Sequence, residues 1–446
     1  MTYVEFFLLA EENLFSLIFL SFAIVFVYLI IYRNYILSIF DPMFFAIVAT
    51  GLANAIFFFL FYLNEIRSEY FYSYIFTELA FFTGFFLFKP IKPHKYYLGK
   101  TIPNKLLIDF DEKFITILFY WAIFFHVFSQ LLTYALVGLP ILMESRLTTY
   151  SGGSGFGIFG RILDVSSSIG VFLLFYRFFY CENSKPSKYL NYLYLVFTIF
   201  AMIVSGNKTN LLFLIYYIFI LNIFMLKIKG KSISLQIKKT MSLQKVFLIS
   251  SIILIFLVII IQLSRNPSGA QLNDSWIVLI KRIVSFGDVY YLTLPNDIIL
   301  QLHDKHGPFL QLFKDPLGVL RIVPWSELPI DSGFAVTNYH YGDIASGPNP
   351  RYNYFAILYF NLGGQIVYCF FVGVVISFIR NKLFYILPKH IFYGLLYSII
   401  SINIIYAFQD MPTLIIHIFS ILLIFPIIFL LSIFTIDILN KSKISS

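Results

Sequence analysis

The sequence predicts an all-α, polytopic membrane protein. Three observations carry that prediction. Only 12% of the 446 residues are charged, whereas a water-soluble domain carries about 25%, so too little polar surface exists to cover a soluble globule. Hydrophobic residues make up 59% and aromatic residues 20%, and mean hydropathy is +0.83. Apolar runs of about 20 residues recur along the chain, the length at which a helix crosses a bilayer with its backbone satisfied internally. Transmembrane barrel strands would be about ten residues long and alternating, and these runs are neither. Phe 55 and Tyr 32 against Trp 3 also argue against collagen-like, coiled-coil or disordered chains.

Eleven spans are expected in order, at 14–32, 43–63, 70–88, 114–138, 162–181, 189–205, 210–226, 246–263, 355–379, 390–408 and 413–436. The sixth and seventh form a tight hairpin around Ser205-Gly206-Asn207-Lys208-Thr209. Ahead of the first span, Met1 to Asn13 lacks a basic region and holds Glu5, Glu11 and Glu12, so no cleavable signal peptide is expected. Connections alternate sides, and 21 of the 32 Lys and Arg residues fall on one side. By the positive-inside rule that side is cytoplasmic, which puts the N-terminus outside and the C-terminus inside. The net charge of +9 is therefore mainly a topology signal, with affinity for anionic membrane lipids second and no nucleic-acid partner implied. Cys181 and Cys369 fall at different places in the bundle and are read as unbridged packing residues.

The chain divides into residues 1–263 with eight spans, a long outer loop over 264–354, and residues 355–446 with three spans and a short inner tail. A 91-residue loop inside a compact membrane protein is usually functional. Its segment Trp276–Phe286 is too short to span. As a helix it gathers Lys281, Arg282 and Ser285 on one face, which suits an interfacial element or a helix packed on the bundle. A second outer loop, about Leu139–Arg161, contains the Gly/Ser stretch 151–157.

Basic residues gather at one depth on the outer side. They are Arg161 at the start of the fifth span, Lys208 at the hairpin tip, Arg265 after the eighth span and Arg351 before the ninth, with Lys281 and Arg282 at the same level. Outward arginines run against the positive-inside rule, and lipid phosphates sit at that depth. Arginine presents a fork of donors to phosphate and lysine a point charge. Each residue alone has the plainer reading of snorkelling to ordinary headgroups; as a set they point to a diphosphate-lipid site. The same loop carries the candidate acids and bases Asp288, His303, His306, Asp331, His340 and Asp343. Glycosyl transfer needs such a base, or an acceptor held in line, and cations on the leaving phosphate.

Glu78 and His126 stand near the middles of the third and fourth spans. An ionisable group there is either functional or half of a structural pair. Asp164 with Ser166, Ser167 and Ser168 begins the fifth span and is a candidate cavity lining; Asn54 and Gln130 are read as interhelix hydrogen-bonding groups. Asp109-Phe110-Asp111 has a nucleotide-sugar metal spacing but sits in a short inner loop with no domain to hold a nucleotide. No Walker loop is present, and the histidines are not spaced as metal ligands, so neither cofactor nor metal is implied.

Three stretches carry a family resemblance. They are Asp41-Pro42-Met43-Phe44-Phe45; Val204-Ser205-Gly206-Asn207-Lys208-Thr209 before an apolar run; and Gly347-Pro348-Asn349-Pro350-Arg351 followed by Tyr359–Gly364 and Gly373. With one dominant late outer loop, the chain resembles the Wzy-type O-antigen (oligosaccharide repeat-unit) polymerases of bacterial surface polysaccharide synthesis. It departs from their commoner pattern with Lys208 where many relatives carry arginine, and eleven spans is slightly below their usual count. The resemblance implies a metal-independent, GT-C-like inner-membrane glycosyltransferase whose active site faces the periplasm. Donor and acceptor are both undecaprenyl-diphosphate-linked oligosaccharides, and a chain-length regulator is an implied partner. Lys208 and Arg351 take their roles from matching positions. Placement adds Arg161, Arg265, Arg282 and Arg321 to the diphosphate site. Arg265 and Arg351 also stabilise departure of the leaving group, and His340, then Asp288, serve as the base. Tyr339, Tyr341 and Tyr352 are candidates for stacking on sugars, and the 151–157 loop for covering the site. An O-antigen ligase using the same donor, a lipid-linked oligosaccharide flippase and a structural membrane subunit remain as alternative readings.

Overall fold

The computed structural model describes residues 1–92, 110–140, 157–181, 184–205, 208–229, 283–302, 306–342 and 347–444. Among them the regular structure is helical, with no strand. The helices are α1 (Tyr3–Glu12), α2 (Leu14–Tyr32), α3 (Pro42–Tyr62), α4 (Ser68–Phe85), α5 (Glu112–Leu136), α6 (Gly157–Tyr180), α7 (Lys185–Val204) and α8 (Lys208–Lys229). Within the long loop come α9 (Asp288–Thr293), α10 (Ile298–Gln301), α11 (Gly307–Val319) and α12 (Ser332–Tyr341), and across its end α13 (Tyr352–Tyr359). The chain ends with α14 (Leu362–Ser377), α15 (Leu383–Ile386), α16 (Ile391–Ser401), α17 (Ile404–Ala407) and α18 (Met411–Ile444).

Among the described residues, eight helices are long and apolar enough to cross a membrane, the mark of a polytopic membrane protein. They match the first, second, fourth to seventh, ninth and eleventh expected spans. The third is present as α4, and the tenth as α16 and α17, interrupted near Ile402. The eighth, at 246–263, lies outside the described residues, as do the Gly/Ser stretch through Phe156 and Trp276–Arg282 of the amphipathic segment.

Local sequence sets the helix ends. Asp41 caps α3 by accepting from Met43 N at 3.0 Å, with Pro42 in the first turn where no N–H is missed. Asp111 caps α5 by accepting from Phe114 N at 2.7 Å, which accounts for that half of the Asp-Phe-Asp stretch. Thr2 and Glu5 form a reciprocal cap that starts α1, a helix the span reading did not include. The ninth span begins later than expected. Its apolar pattern is continuous from Phe355, but Phe360 is extended (φ −127°, ψ 152°) and Asn361 caps a new helix by accepting from Gly364 N at 3.0 Å. That helix then runs on through a π turn at Phe378–Lys382 into α15.

The described residues fall into two compact units. One lies within Met1–Ile91, Ile255–Lys382 and Ile404–Ile416; the other within Lys92–Leu254, Leu383–Asn403 and His417–Ser446. In the first unit α4 and α14 touch backbone to backbone. A Cβ on Gly84 would overlap the carbonyl of Phe370, and one on Gly373 the carbonyl of Phe81. Between spans no water is left to expel, so this close van der Waals approach is itself the attraction, and only glycine permits it. Aromatic stacking continues the core: Phe57 on Tyr74 at 3.9 Å, Phe81 on Tyr352 at 4.5 Å and Phe6 of α1 on Tyr291 at 4.0 Å between ring centroids.

In the second unit, Phe110 packs on Phe392 at 4.0 Å and the Trp121 indole N–H donates to Thr435 Oγ1 at 3.0 Å. Lys227 is buried with its ammonium on the carbonyls of Phe384 and Leu387, the carbonyl end of the short α15. A lysine there satisfies carbonyls that have no helical partner.

Candidate functional site

The late loop and the first unit assemble a polar site around Arg351. The Gly-Pro-Asn-Pro run ends at this residue, which stands at the N-cap of α13. Arg351 is only 2% exposed. Its Nη2 donates to the Phe286 carbonyl at 2.6 Å and its Nη1 to the Phe408 carbonyl at 3.4 Å. Its Nε is buried and has no hydrogen-bond partner among the described residues. No carboxylate lies within ion-pair distance of it among those residues. Burial lowers the guanidinium from its ordinary value, with Tyr290 and then Asp288 opposing. Arginine is too basic to lose its proton in a protein, so a positive charge stays buried here.

Asp288 stands two residues after Phe286, at the first position of α9. Gly287 lets the chain turn in there, since a Cβ on it would strike Ile56 and the Ala53 carbonyl of α3. Burial pushes the Asp288 carboxyl up to about 7, against the pull of Arg351 and of its own bond from Val289 N. The two charges therefore couple electrostatically without forming a direct pair. A carboxyl titrating near 7 beside a buried guanidinium suits proton acceptance next to a bound anion.

His340 lies on α12, with Nε2 at 2.7 Å from the Leu292 carbonyl at the other end of α9. A carbonyl only accepts, so Nε2 carries the hydrogen, and in the neutral ring Nδ1 is the basic atom. Tyr341 beside it accepts from Tyr3 N at 2.7 Å and stacks on the Tyr3 ring at 5.4 Å. Tyr339 donates to Gln301 Oε1 at 2.9 Å and is exposed. Tyr352 differs from the expectation of a sugar platform. It is 1% exposed, with its ring on Phe81 and its hydroxyl on Glu78, so no ring face is left for a ligand.

The remaining expected site residues are not gathered here. Arg321 is exposed beyond the end of α11, in left-handed backbone with φ 54°. Arg161 belongs to the other unit, with Nη1 at 3.1 Å from Ser420 Oγ. Lys208 is the first residue of α8. Arg265, Lys281, Arg282, His303 and Asp343 lie outside the described residues. Asp331 pairs with Lys314, and His306 is exposed ahead of α11. Among the described residues no group of three or more His, Cys, Asp or Glu is arranged to hold a metal ion.

Two polar clusters were not legible as clusters in the sequence. In the first unit, Glu78 accepts from Tyr28, Tyr352 and Asn353, and Asn54 donates to Tyr28. In the second, His417 of α18 meets Asp164 of α6 at 2.6 Å, with Ser167 and Ser168 bonded back to the Asp164 carbonyl. His126 of the same unit lies 2.8 Å from the Tyr194 hydroxyl, so Glu78 and His126 each have partners within their own units. An open cleft of about 380 Å³, bordered by Glu69, Tyr70, Ser73 and Gln365, lies elsewhere in the first unit.

Comparison of the chain with protein-family models, with curated proteins and with solved structures returns no match.

Proposed function

We propose that the chain is a glycosyltransferase that polymerises lipid-diphosphate-linked oligosaccharide repeat units, as the polymerase-like stretches of its sequence imply. The observation that carries the reading is Arg351. A buried guanidinium with no carboxylate at ion-pair distance among the described residues is expensive unless an anion arrives to balance it. Phosphate oxygens match the donors of a guanidinium, and the buried Nε of this one has no hydrogen-bond partner among the described residues. In this reading the chain has eleven spans with its N-terminus outside. It resides in a bacterial inner membrane and works on the outer face, where the long loop brings Arg351 and Asp288 to the lipid diphosphate.

The acceptor hydroxyl oxygen attacks the anomeric carbon of the donor glycan. The bond from that carbon to the diphosphate oxygen breaks, and the polyprenyl diphosphate leaves with both bonding electrons. The hydroxyl proton passes to the Asp288 carboxylate, with Nδ1 of His340 as the second candidate acceptor. Arg351 stabilises charge that grows on the leaving oxygen, an effect strengthened where water is excluded. In this scheme Arg265 and Arg282 of the same long loop are the further cations proposed for the diphosphate.

The test is made in cells that depend on this chain for surface polysaccharide. Arg351→Gln, produced at parental level and eluting as a single species in detergent, should leave only single-repeat product on a gel. Loss of even the single-repeat form would favour a flippase, and parental chain lengths would remove Arg351 from the mechanism.

A further inference from the structure

Arginine is a poor residue with which to start a helix. An N-cap side chain is useful when its oxygen accepts from the exposed N–H groups of the first turn, and arginine has no acceptor. Its positive charge also faces the positive end of the helix dipole. Arg351 makes no side-chain cap of α13. Something else must hold that first turn.

The group that does so is Glu78, in the middle of the apolar α4 and 5% exposed. Its Oε1 accepts from the Tyr352 hydroxyl at 2.6 Å and from Asn353 Nδ2 at 3.2 Å, the two residues that follow Arg351. Its Oε2 accepts from the Tyr28 hydroxyl at 2.7 Å, and Tyr28 in turn accepts from Asn54. Asn353 uses its Oδ1 to accept from the Tyr290 hydroxyl at 2.7 Å, on α9 two residues after Asp288. One carboxylate thus grips the turn that carries Arg351, and through Asn353 the helix that carries Asp288. The Gly84 and Gly373 contact holds α4 tightly enough to make that grip definite.

We infer that Glu78 is a positioning residue, which sets the direction of Arg351 through Tyr352 and Asn353. It touches no ligand itself. The inference rests on the reading of Arg351 as the anion-binding group.

The experiment uses the full chain in nanodiscs with farnesyl diphosphate as the probe, and its affinity is measured by calorimetry. Arg351→Gln is expected to weaken binding about tenfold or more. Glu78→Leu should weaken it to a similar degree, and Glu78→Gln, which keeps an acceptor oxygen, should recover much of the loss. The double variant Glu78→Leu/Arg351→Gln should bind no worse than Arg351→Gln alone, because both changes remove one interaction. Tyr352→Phe, which deletes one donor and leaves no large cavity, should weaken binding several-fold and decides the matter if Glu78→Leu does not fold. Parental affinity in Glu78→Leu and Tyr352→Phe, or additive losses in the double variant, would overturn the positioning role. Parental affinity in Arg351→Gln would overturn instead the reading on which it rests.

Discussion

Arg380 Nη2 sits 2.5 Å from Asp41 Oδ2, a pair separated by 339 positions of sequence and buried at both ends. Asp41 caps α3 with its other oxygen and also accepts from Leu37 N at 3.0 Å. Arg380 lies in the π turn that follows α14. One carboxylate therefore fixes the start of α3 and the irregular end of α14 together. Removing one partner leaves the other charged and buried, which typically destabilises by about 3–5 kcal/mol. Arg380→Leu and Asp41→Leu are each expected to lower the unfolding midpoint in detergent steeply, and the double variant less than the sum. Single variants as stable as the parent would contradict this.

Asp288 sets a pH dependence. Burial raises its carboxyl to about 7 from an ordinary 3.8. Above the ordinary carboxylate range the unfolded chain releases this proton and the folded chain keeps it. The group therefore subtracts stability as pH rises toward 7, and its basic form predominates only above that point. Turnover by the purified chain should rise with pH between roughly 6 and 8. Asp288→Asn should lose most of the activity and the rising limb with it. A parental profile that is level across this range would exclude Asp288 as the base.

The Gly84 and Gly373 contact makes a steric prediction. A side chain at either position meets main chain, which cannot swing aside. Gly373→Leu should destabilise by about 3 kcal/mol or more and reduce the fraction recovered as a single peak in size-exclusion chromatography. Gly363→Leu is a control, because a Cβ there meets only Asn361 Oδ1 at 3.8 Å. Equal recovery of the two variants would argue against the close packing.

His417 and Asp164 link α18 to α6 with both side chains partly exposed, at 19% and 33%. Either change alone, His417→Leu or Asp164→Leu, removes this link between the two helices and should lower thermal stability by a few degrees. The double variant should regain part of that loss. Strict additivity in a thermal-shift series would mean the pair contributes nothing as a pair.

The spans that fall on described residues were readable because each rests on about 20 local residues, and length with composition decides them. The break in the ninth span was harder to see. Phe355 to Tyr359 and Leu362 onward read as one apolar run, and the cap that separates them is a single asparagine, Asn361, with Gly363 and Gly364 after Leu362. Arg351 was recognisable from the Pro-rich run before it, but its burial was not, because its partners are carbonyls at 286 and 408. Glu78 stood out as an acid in an apolar helix, while its donors at 28, 352 and 353 come from distant helices. His417 gave no such sign, a lone histidine whose partner lies 253 positions earlier. A single sequence reports period and composition well, and it reports long-range pairing poorly.

The extended residue between α13 and α14 divides labour along one stretch of chain. Spanning helices answer to the bilayer, tilting when the hydrocarbon layer thins or thickens. A rigid continuation would pass each tilt on to Arg351 as a displacement at its far end. With Phe360 out of helix, α13 takes its own direction, set by Glu78 of α4 and Tyr290 of α9 and not by the axis of α14. Because α4 is locked on α14 at Gly84 and Gly373, a tilt carries Arg351 and its partners together, and probe affinity should change little between nanodiscs of shorter and longer acyl chains.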